Sequence, residues 1–275
     1  MVFRARLYFC FYPVGELTFT EFVMKEIRLD SWADYLEKIK EIRSPDSFFR
    51  GQSRATWPLE TTLERKVKGD YRFRKYLIEV SRIAPKLESF SGNRWDLPAY
   101  KDLENNISEI ECEDPFWVHL PMYPFLVYLR HYGFPSPLLD WTESPFIAAY
   151  FAYMGADDAD PAVFIFTKRD DRTQINNEPI ISFQDKYIRT DKRHFSQKTR
   201  YTIATRNDNE QNTMFFCEHL HALCHAGELC KLILPVKERK SALSYLNDHN
   251  INHFTLFHSE DSLIKSMAVE VFDLQ

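Results

Sequence analysis

Phe48-Phe49-Arg50-Gly51-Gln52-Ser53, set against His131-Tyr132-Gly133 and Leu138-Leu139-Asp140-Trp141-Thr142-Glu143-Ser144-Pro145 further along, decides how this chain is read. Two phenylalanines running into Arg-Gly-Gln make a short strand that carries a fixed positive charge and an amide to its end. A glycine there lets another group come close to the backbone. The second stretch gathers His, Tyr, Asp, Trp, Thr and Ser around a proline-bounded turn and passes into the apolar run Ala148-Ala149-Tyr150-Phe151-Ala152. Chemically dense loops held by rigid elements are where ligands usually bind.

Ahead of this strand, Ser31 and Asp34 make a capping-box-like start. Trp32, Tyr35, Leu36, Ile39 and Ile42 then recur at helical spacing, so 31–43 reads as an amphipathic helix that Ser44-Pro45-Asp46 breaks. Helical periodicity returns over 59–67 and 71–90, with Pro85 kinking or ending the second. Residues 91–115, with Glu109, Glu111, Glu113 and Asp114, read as a loop or lid of solvated acids. Helices are expected over 122–132, 145–153, 215–225, 241–250 and 263–271, and strands over 162–167, 180–183, 200–205, 230–236 and 253–257. Leu7 to Val14, behind Arg4 and Arg6, is too short to span a bilayer and lacks a small-residue cleavage site, so 1–29 reads as an opening strand or hairpin. With no repeat or linker, one α+β domain is expected over 1–275, its core at about 30–270.

Composition narrows the function classes. Of the 275 residues 44% are hydrophobic, with 23 Phe and 14 Tyr but 7 Gly, which disfavours a glycine-rich dinucleotide fold. There is no G-x-G-x-x-G and no G-x-x-x-x-G-K-S/T, so neither a Rossmann site nor a P-loop is supported. No Ser-His-Asp elbow, H-E-x-x-H or paired-carboxylate glycosidase pattern stands out. Five cysteines without regular spacing point to a reducing compartment, hence a cytoplasmic protein without membrane attachment. Cys217, His221 and Cys224 would share one helix face, but no C-x-x-C accompanies them and no metal is expected. Net charge is −5, yet Lys186, Arg189, Lys192, Arg193, Lys198, Arg200 and Arg206 face Asp191 alone within 186–206. Such a stretch is either a solvated face or an attractor of phosphates.

Individual residues carry open alternatives. Arg50 offers a planar fork suited to a diphosphate or to a carboxylate such as Asp140. Asp140 itself could brace Arg50, cap the next helix or face a ligand. Thr142 and Ser144 fit helix N-caps, and a helix N-terminus also suits an anionic group. His131 and Tyr132 form either a helix-end pair or a stacking surface for a ring.

The order of motifs resembles the FRG-domain family, named for a Phe-Arg-Gly such as that at 49–51. The resemblance continues through Gln52-Ser53, Trp57-Pro58-Leu59, Arg65, His131-Tyr132-Gly133, Leu138 to Thr142, Ser144-Pro145, Ala148 to Ala152, Gln197 with Tyr201-Thr202, Leu232 to Pro235 and Leu256-Phe257. Arg130 and Ser136-Pro137 stand where the family usually has Gln and Thr-Arg. Arg130 is the candidate to replace that missing Arg.

This layout is similar to a divergent ADP-ribosyltransferase of the Arg–Ser–Glu class. The resemblance implies a split, mainly antiparallel β core flanked by helices, and consumption of NAD as co-substrate. Arg50, Asp140 and Gln197 would be catalytic, with Gln197 where a Glu is usual. Gln52, His131, Tyr132, Thr142, Ser144 and Tyr201 would bind NAD, and Glu143 or an acid of 109–113 could supply the carboxylate that Gln197 lacks. Because the basic stretch brackets Gln197, a nucleic-acid acceptor, RNA favoured, would lie on Lys192, Arg193, Lys198 and Arg200. The resemblance further implies a toxin, of a toxin–antitoxin or anti-phage system, held in check by an antitoxin protein. The alternatives are a transferase that modifies proteins, a non-catalytic module for NAD, ADP-ribose or a nucleotide, and a scaffold whose Phe-Arg-Gly is architectural.

Overall fold

The computed structural model describes residues 3–8, 22–42, 44–112, 119–169, 179–184, 188, 190–208, 210–211 and 213–274. The opening strand is β1 (Phe3–Tyr8), antiparallel to β2 (Phe22–Arg28), whereas Val14 lies outside the described residues. The capping pair forms as expected: Ser31 Oγ accepts from the Asp34 amide and Asp34 accepts from the Ser31 amide. It starts α1 (Trp32–Ile42), which buries Trp32, Tyr35 and Ile39. The strand β3 (Ser47–Gln52) follows the Ser-Pro-Asp break.

Next come α2 (Thr62–Val67), a two-residue β4 (Tyr71–Arg72), α3 (Phe73–Ser81) and α4 (Ala84–Ser91), with Pro85 in the first turn of α4. The expected acidic loop is instead α5 (Tyr100–Cys112) from residue 100 onward. Leu103 and Ile107, one helical turn apart and fully buried, anchor it. Glu111 is not solvated; its side chain is 8% exposed and pairs with Arg74 at 2.8 Å. Glu113 and Asp114 lie outside the described residues.

The remaining order is α6 (Tyr123–His131), β5 (Leu139–Thr142), α7 (Pro145–Met154), β6 (Ala162–Lys168), β7 (Ile180–Phe183), α8 (Lys192–Ser196), β8 (Thr199–Asp208) and β9 (Thr213–Phe216). It closes with α9 (His219–Ala226), β10 (Gly227–Ile233), α10 (Arg239–Asp248), α11 (His253–Phe257) and α12 (Glu260–Phe272). Two further expectations are corrected. Residues 213–216 form a strand before the helix, and 253–257, expected as a strand, form a helical turn. A capping box between Asn252 and Thr255 nucleates that turn, a signal the five-residue β-like pattern hid.

The sheet runs β1-β2-β10-β6-β3-β5-β8-β9-β4, with β7 also on β8. Its pairs are antiparallel except β10 with β2. This is an α+β protein with helices on both sheet faces. Along β6, Val163 and Ile165 pack with α1, α7 and α10, while Phe164 and Phe166 pack on the other face with Trp141 and Leu223. A third core holds α3, α5 and α6 against Tyr201, Ile203 and Phe216.

One local feature creates the site. β3 pairs with β6 along its whole length and β5 with β8 along its own, but β3 and β5 share only Phe49 opposite Thr142. The sheet therefore splays between them, and the backbone and side chains at that gap are left facing a cleft. Among the described residues no helix is long and apolar enough to cross a membrane.

Glu64 fastens the distal half. It closes a capping box with Thr61 and accepts from the His219 amide at 2.8 Å and pairs with its ring Nδ1 at 3.0 Å. Burial alone would raise this carboxyl, but the charge and hydrogen bonds of His219, with Thr61, hold it at about 2. The folded value is thus depressed, so the ionised form stabilises the fold above the ordinary value of 4.5 and that contribution fades as pH falls toward about 2. Urea unfolding at about pH 6 and about pH 3 should show the stability gap between wild type and Glu64→Gln shrinking by about 2 kcal/mol. A gap independent of pH would refute this role.

Candidate functional site at the split of the sheet

Arg50, on β3, reaches across the split. Its guanidinium donates to the Asp140 main-chain carbonyl at 2.8 Å and to Asp140 Oδ1, thereby satisfying a β5 carbonyl beside the gap. Arg130, from the end of α6, donates to the same Oδ1. One carboxylate therefore holds two guanidiniums, each with a side chain 14% exposed, while Asp140 stays 42% exposed toward the cleft. Burial opposes the charge of Asp140, but Arg130 and then Arg50 outweigh it and keep its carboxyl well below the usual carboxylate range. Burial likewise pulls the Arg50 guanidinium down from its ordinary value, with Asp140 opposing. Among the described residues the buried Nε of Arg50 has no hydrogen-bond partner.

These groups line a cavity of about 360 Å³. Among the described residues its walls carry three guanidiniums, Arg50, Arg130 and Arg193, and one carboxylate, Asp140, while Asp191 pairs with Arg193 from outside the cavity. Phe151, from α7, and Phe257, from α11, add apolar surface. His131 also lines it, its Nε2 3.0 Å from the Tyr201 hydroxyl. Burial and the nearby Arg193 push His131 down to about 4, so it is neutral at neutral pH and adds no charge. The excess of positive charge in a half-enclosed space suits an anionic ligand.

Thr142 locks the opposite wall. Its hydroxyl donates to the Gln197 main-chain carbonyl at 2.7 Å and accepts from the Ser144 amide at 3.1 Å. Gln197, just past the end of α8, donates through its side-chain Nε2 to the Leu256 carbonyl at 3.1 Å. That anchoring leaves its Oε1 as the acceptor it can present to the cavity. Arg50, Asp140, His131, Thr142, Gln197 and Tyr201, expected to share a site, do line one cavity.

Other expected members lie elsewhere. Gln52 is buried and donates to the Pro58 carbonyl at 3.2 Å, shaping the 52–58 turn away from the cavity. Ser144 is the N-cap of α7 and accepts from the Ile147 amide. Tyr132 is 67% exposed and lines a neighbouring groove instead. Of the basic stretch, Lys186 and Arg189 lie outside the described residues. Arg200 pairs with Glu143 at 3.4 Å and lies over the Phe48 and Phe183 rings, and Arg206 binds Asp70. Neither Arg200, Glu143 nor the acids of α5 reach the cavity. Lys192 and Lys198 are exposed at the two ends of α8, Lys198 with a left-handed φ of 48°. Cys217 precedes α9, so it does not share a helix face with His221 and Cys224, and no three His, Cys, Asp or Glu are grouped for a metal among the described residues.

Phe151, Phe257 and the Leu256 carbonyl escaped sequence reasoning as site components. Phe257 stands beside Leu256 in the Leu256-Phe257 pair of the family resemblance, and only the fold brings that pair to Gln197.

Comparison with protein families matches residues 45–161 to the FRG domain. That span contains Arg50, Arg130, Asp140 and Thr142, whereas Arg193, Gln197 and Phe257 come from the chain beyond it. No curated protein and no solved structure matches the chain.

Proposed function

We propose that the protein is an NAD-consuming ADP-ribosyltransferase whose reaction takes place in the cavity at the split of the sheet. The observation that carries this is the convergence of Arg50 and Arg130 on the exposed Asp140, across from an anchored Gln197, between aromatic walls. The splay between β3 and β5 fits the split β core of that enzyme type. The chemistry breaks the bond between ribose and nicotinamide; its electron pair leaves with nicotinamide and positive charge builds on the ribose, as in glycoside cleavage. The acceptor's nucleophile then bonds to the ribose carbon and releases its proton. Arg50 and Arg130 would hold the diphosphate in place, and Gln197 Oε1 would orient a ribose hydroxyl. Exposed Lys192 and Lys198 beside Gln197 favour a nucleic-acid acceptor, and such an activity on the cell's own nucleic acid would act as a toxin that needs a neutralising partner.

A second reading has its own support. Gln197 cannot act as a general base, and among the described residues the sole carboxylate lining the cavity is already held by two guanidiniums. The same site would then bind a nucleotide without turning it over. Incubation with NAD and chromatography of released nicotinamide separates the two. Release that falls at least about a hundredfold in Arg50→Lys, which keeps the charge and loses the fork, supports the enzyme. Binding without release supports the module, and neither binding nor release refutes both.

A further inference from the structure

Beside the inner cavity lies a broader groove of about 800 Å³, lined by Tyr132, Lys192, Arg193, His253, Phe257 and Lys265 among others. Arg193 and Phe257 line both spaces, so the two are contiguous and Arg193 stands at their junction. One arm of Arg193 pairs with Asp191 at 3.3 Å; its Nε is buried and has no hydrogen-bond partner among the described residues. Its guanidinium also lies 5.9 Å from the centre of the Tyr132 ring. Tyr132 is braced from behind by Tyr128, their ring centres 4.7 Å apart, yet remains 67% exposed. With Tyr128 tilted at 44° against it and Arg193 over part of the ring, Tyr132 still offers exposed aromatic surface on which a base can stack.

Among the described residues that line the groove, most charges are already paired. Asp191 and Asp261 offset Arg193 and Lys265, each by direct pairing, which leaves Lys192 as the unmatched cation among those lining it. That pairing suits the neutral nucleoside end of a ligand whose charge lies at the junction.

The geometry points to a dinucleotide spanning both spaces: the reacting nucleoside in the inner cavity, the diphosphate passing Arg193 at the junction, and the distal base on Tyr132. This rests on the nucleotide reading of the inner cavity and assigns the outer groove to the far half of the same ligand. The test is calorimetric titration of wild type, Tyr132→Ala and Arg193→Ala. The probes are a carbocyclic, uncleavable NAD analogue and nicotinamide mononucleotide. Tyr132→Ala should weaken the dinucleotide at least about tenfold, to near the affinity of the mononucleotide, and leave the mononucleotide unchanged. Arg193→Ala should weaken the dinucleotide more than the mononucleotide, whose phosphate remains with Arg50 and Arg130. Unchanged dinucleotide affinity in both variants would overturn the assignment while leaving the inner site intact. So would intact dinucleotide affinity with lost transfer of label to macromolecules, which would give the groove to the acceptor. Failure of wild type to bind either probe would instead remove the nucleotide reading itself. Because Tyr132 is exposed, its variant should melt with the wild type, which keeps the comparison interpretable.

Discussion

Gly51→Ala should fail to fold, or lose at least about 3 kcal/mol of stability. A methyl group at this position would meet the Ala148 carbonyl oxygen at 2.0 Å and the Ala152 amide nitrogen at 2.6 Å. Both are main-chain atoms of α7, and no side chain can turn aside to relieve the contact. α7 and β3 would have to separate, which would pull Phe49 from its packing against Ile147 to Tyr153 and open the site at its base. Chemical denaturation of the variant, with Gly155→Ala as a comparison, provides the measurement. At Gly155 the nearest atom is the Ser53 hydroxyl, a side chain that can rotate. Equal stability of Gly51→Ala and wild type would show that α7 does not lie on β3 as described.

Asp140→Ala should produce the second large effect, with an unusual rescue. Removing the carboxylate leaves Arg50 and Arg130 facing each other without the charge both of them bind. Breaking a buried pair in this way costs about 3–5 kcal/mol. The opening of the cavity to water moves the expectation to about 2–3 kcal/mol. A free anion can then take the empty place. Thermal melting with added inorganic pyrophosphate should therefore raise the melting temperature of Asp140→Ala by more than that of wild type. If pyrophosphate stabilises both equally, the two guanidiniums do not face a cavity that anions can enter.

The Gln197 position bears on both. Thr142 and the Leu256 carbonyl fix it from two sides, and neither contact depends on charge. A site arranged for an acid would need that acid held away from a carbonyl oxygen, which repels it. The hydrogen bond from Nε2 to Leu256 is thus a physical reason for an amide at this position rather than a carboxylate.

Local pattern determined much of this protein. Helical periodicity marked α1 within a residue of its bounds, because burying one face imposes a repeat that can be read without neighbours. The apolar runs of α6 and α7 and the helix expected over 241–250 also lie near their bounds, whereas the single helix expected over 71–90 divides into α3 and α4 after the short β4. The Ser31–Asp34 cap, the Pro-started α7 and the glycine of Phe-Arg-Gly were legible for the same reason: each answers a demand of adjacent backbone. α5 was missed because its two core anchors sit among acids, and α11 because five residues contain too little period to separate helix from strand. Tertiary structure alone decided how charges were spent. Asp140 could have capped a helix or faced a ligand; it binds Arg50 and Arg130 because the sheet splits beside it and brings α6 and β3 to the same carboxylate. The basic stretch read as one patch, yet Arg200 and Arg206 turn to Glu143 and Asp70 on successive parts of β8, leaving Arg193 at the junction of the two spaces. Periodicity follows from the chain's own geometry, whereas an ion pair is chosen by whichever opposite charge the fold carries within reach.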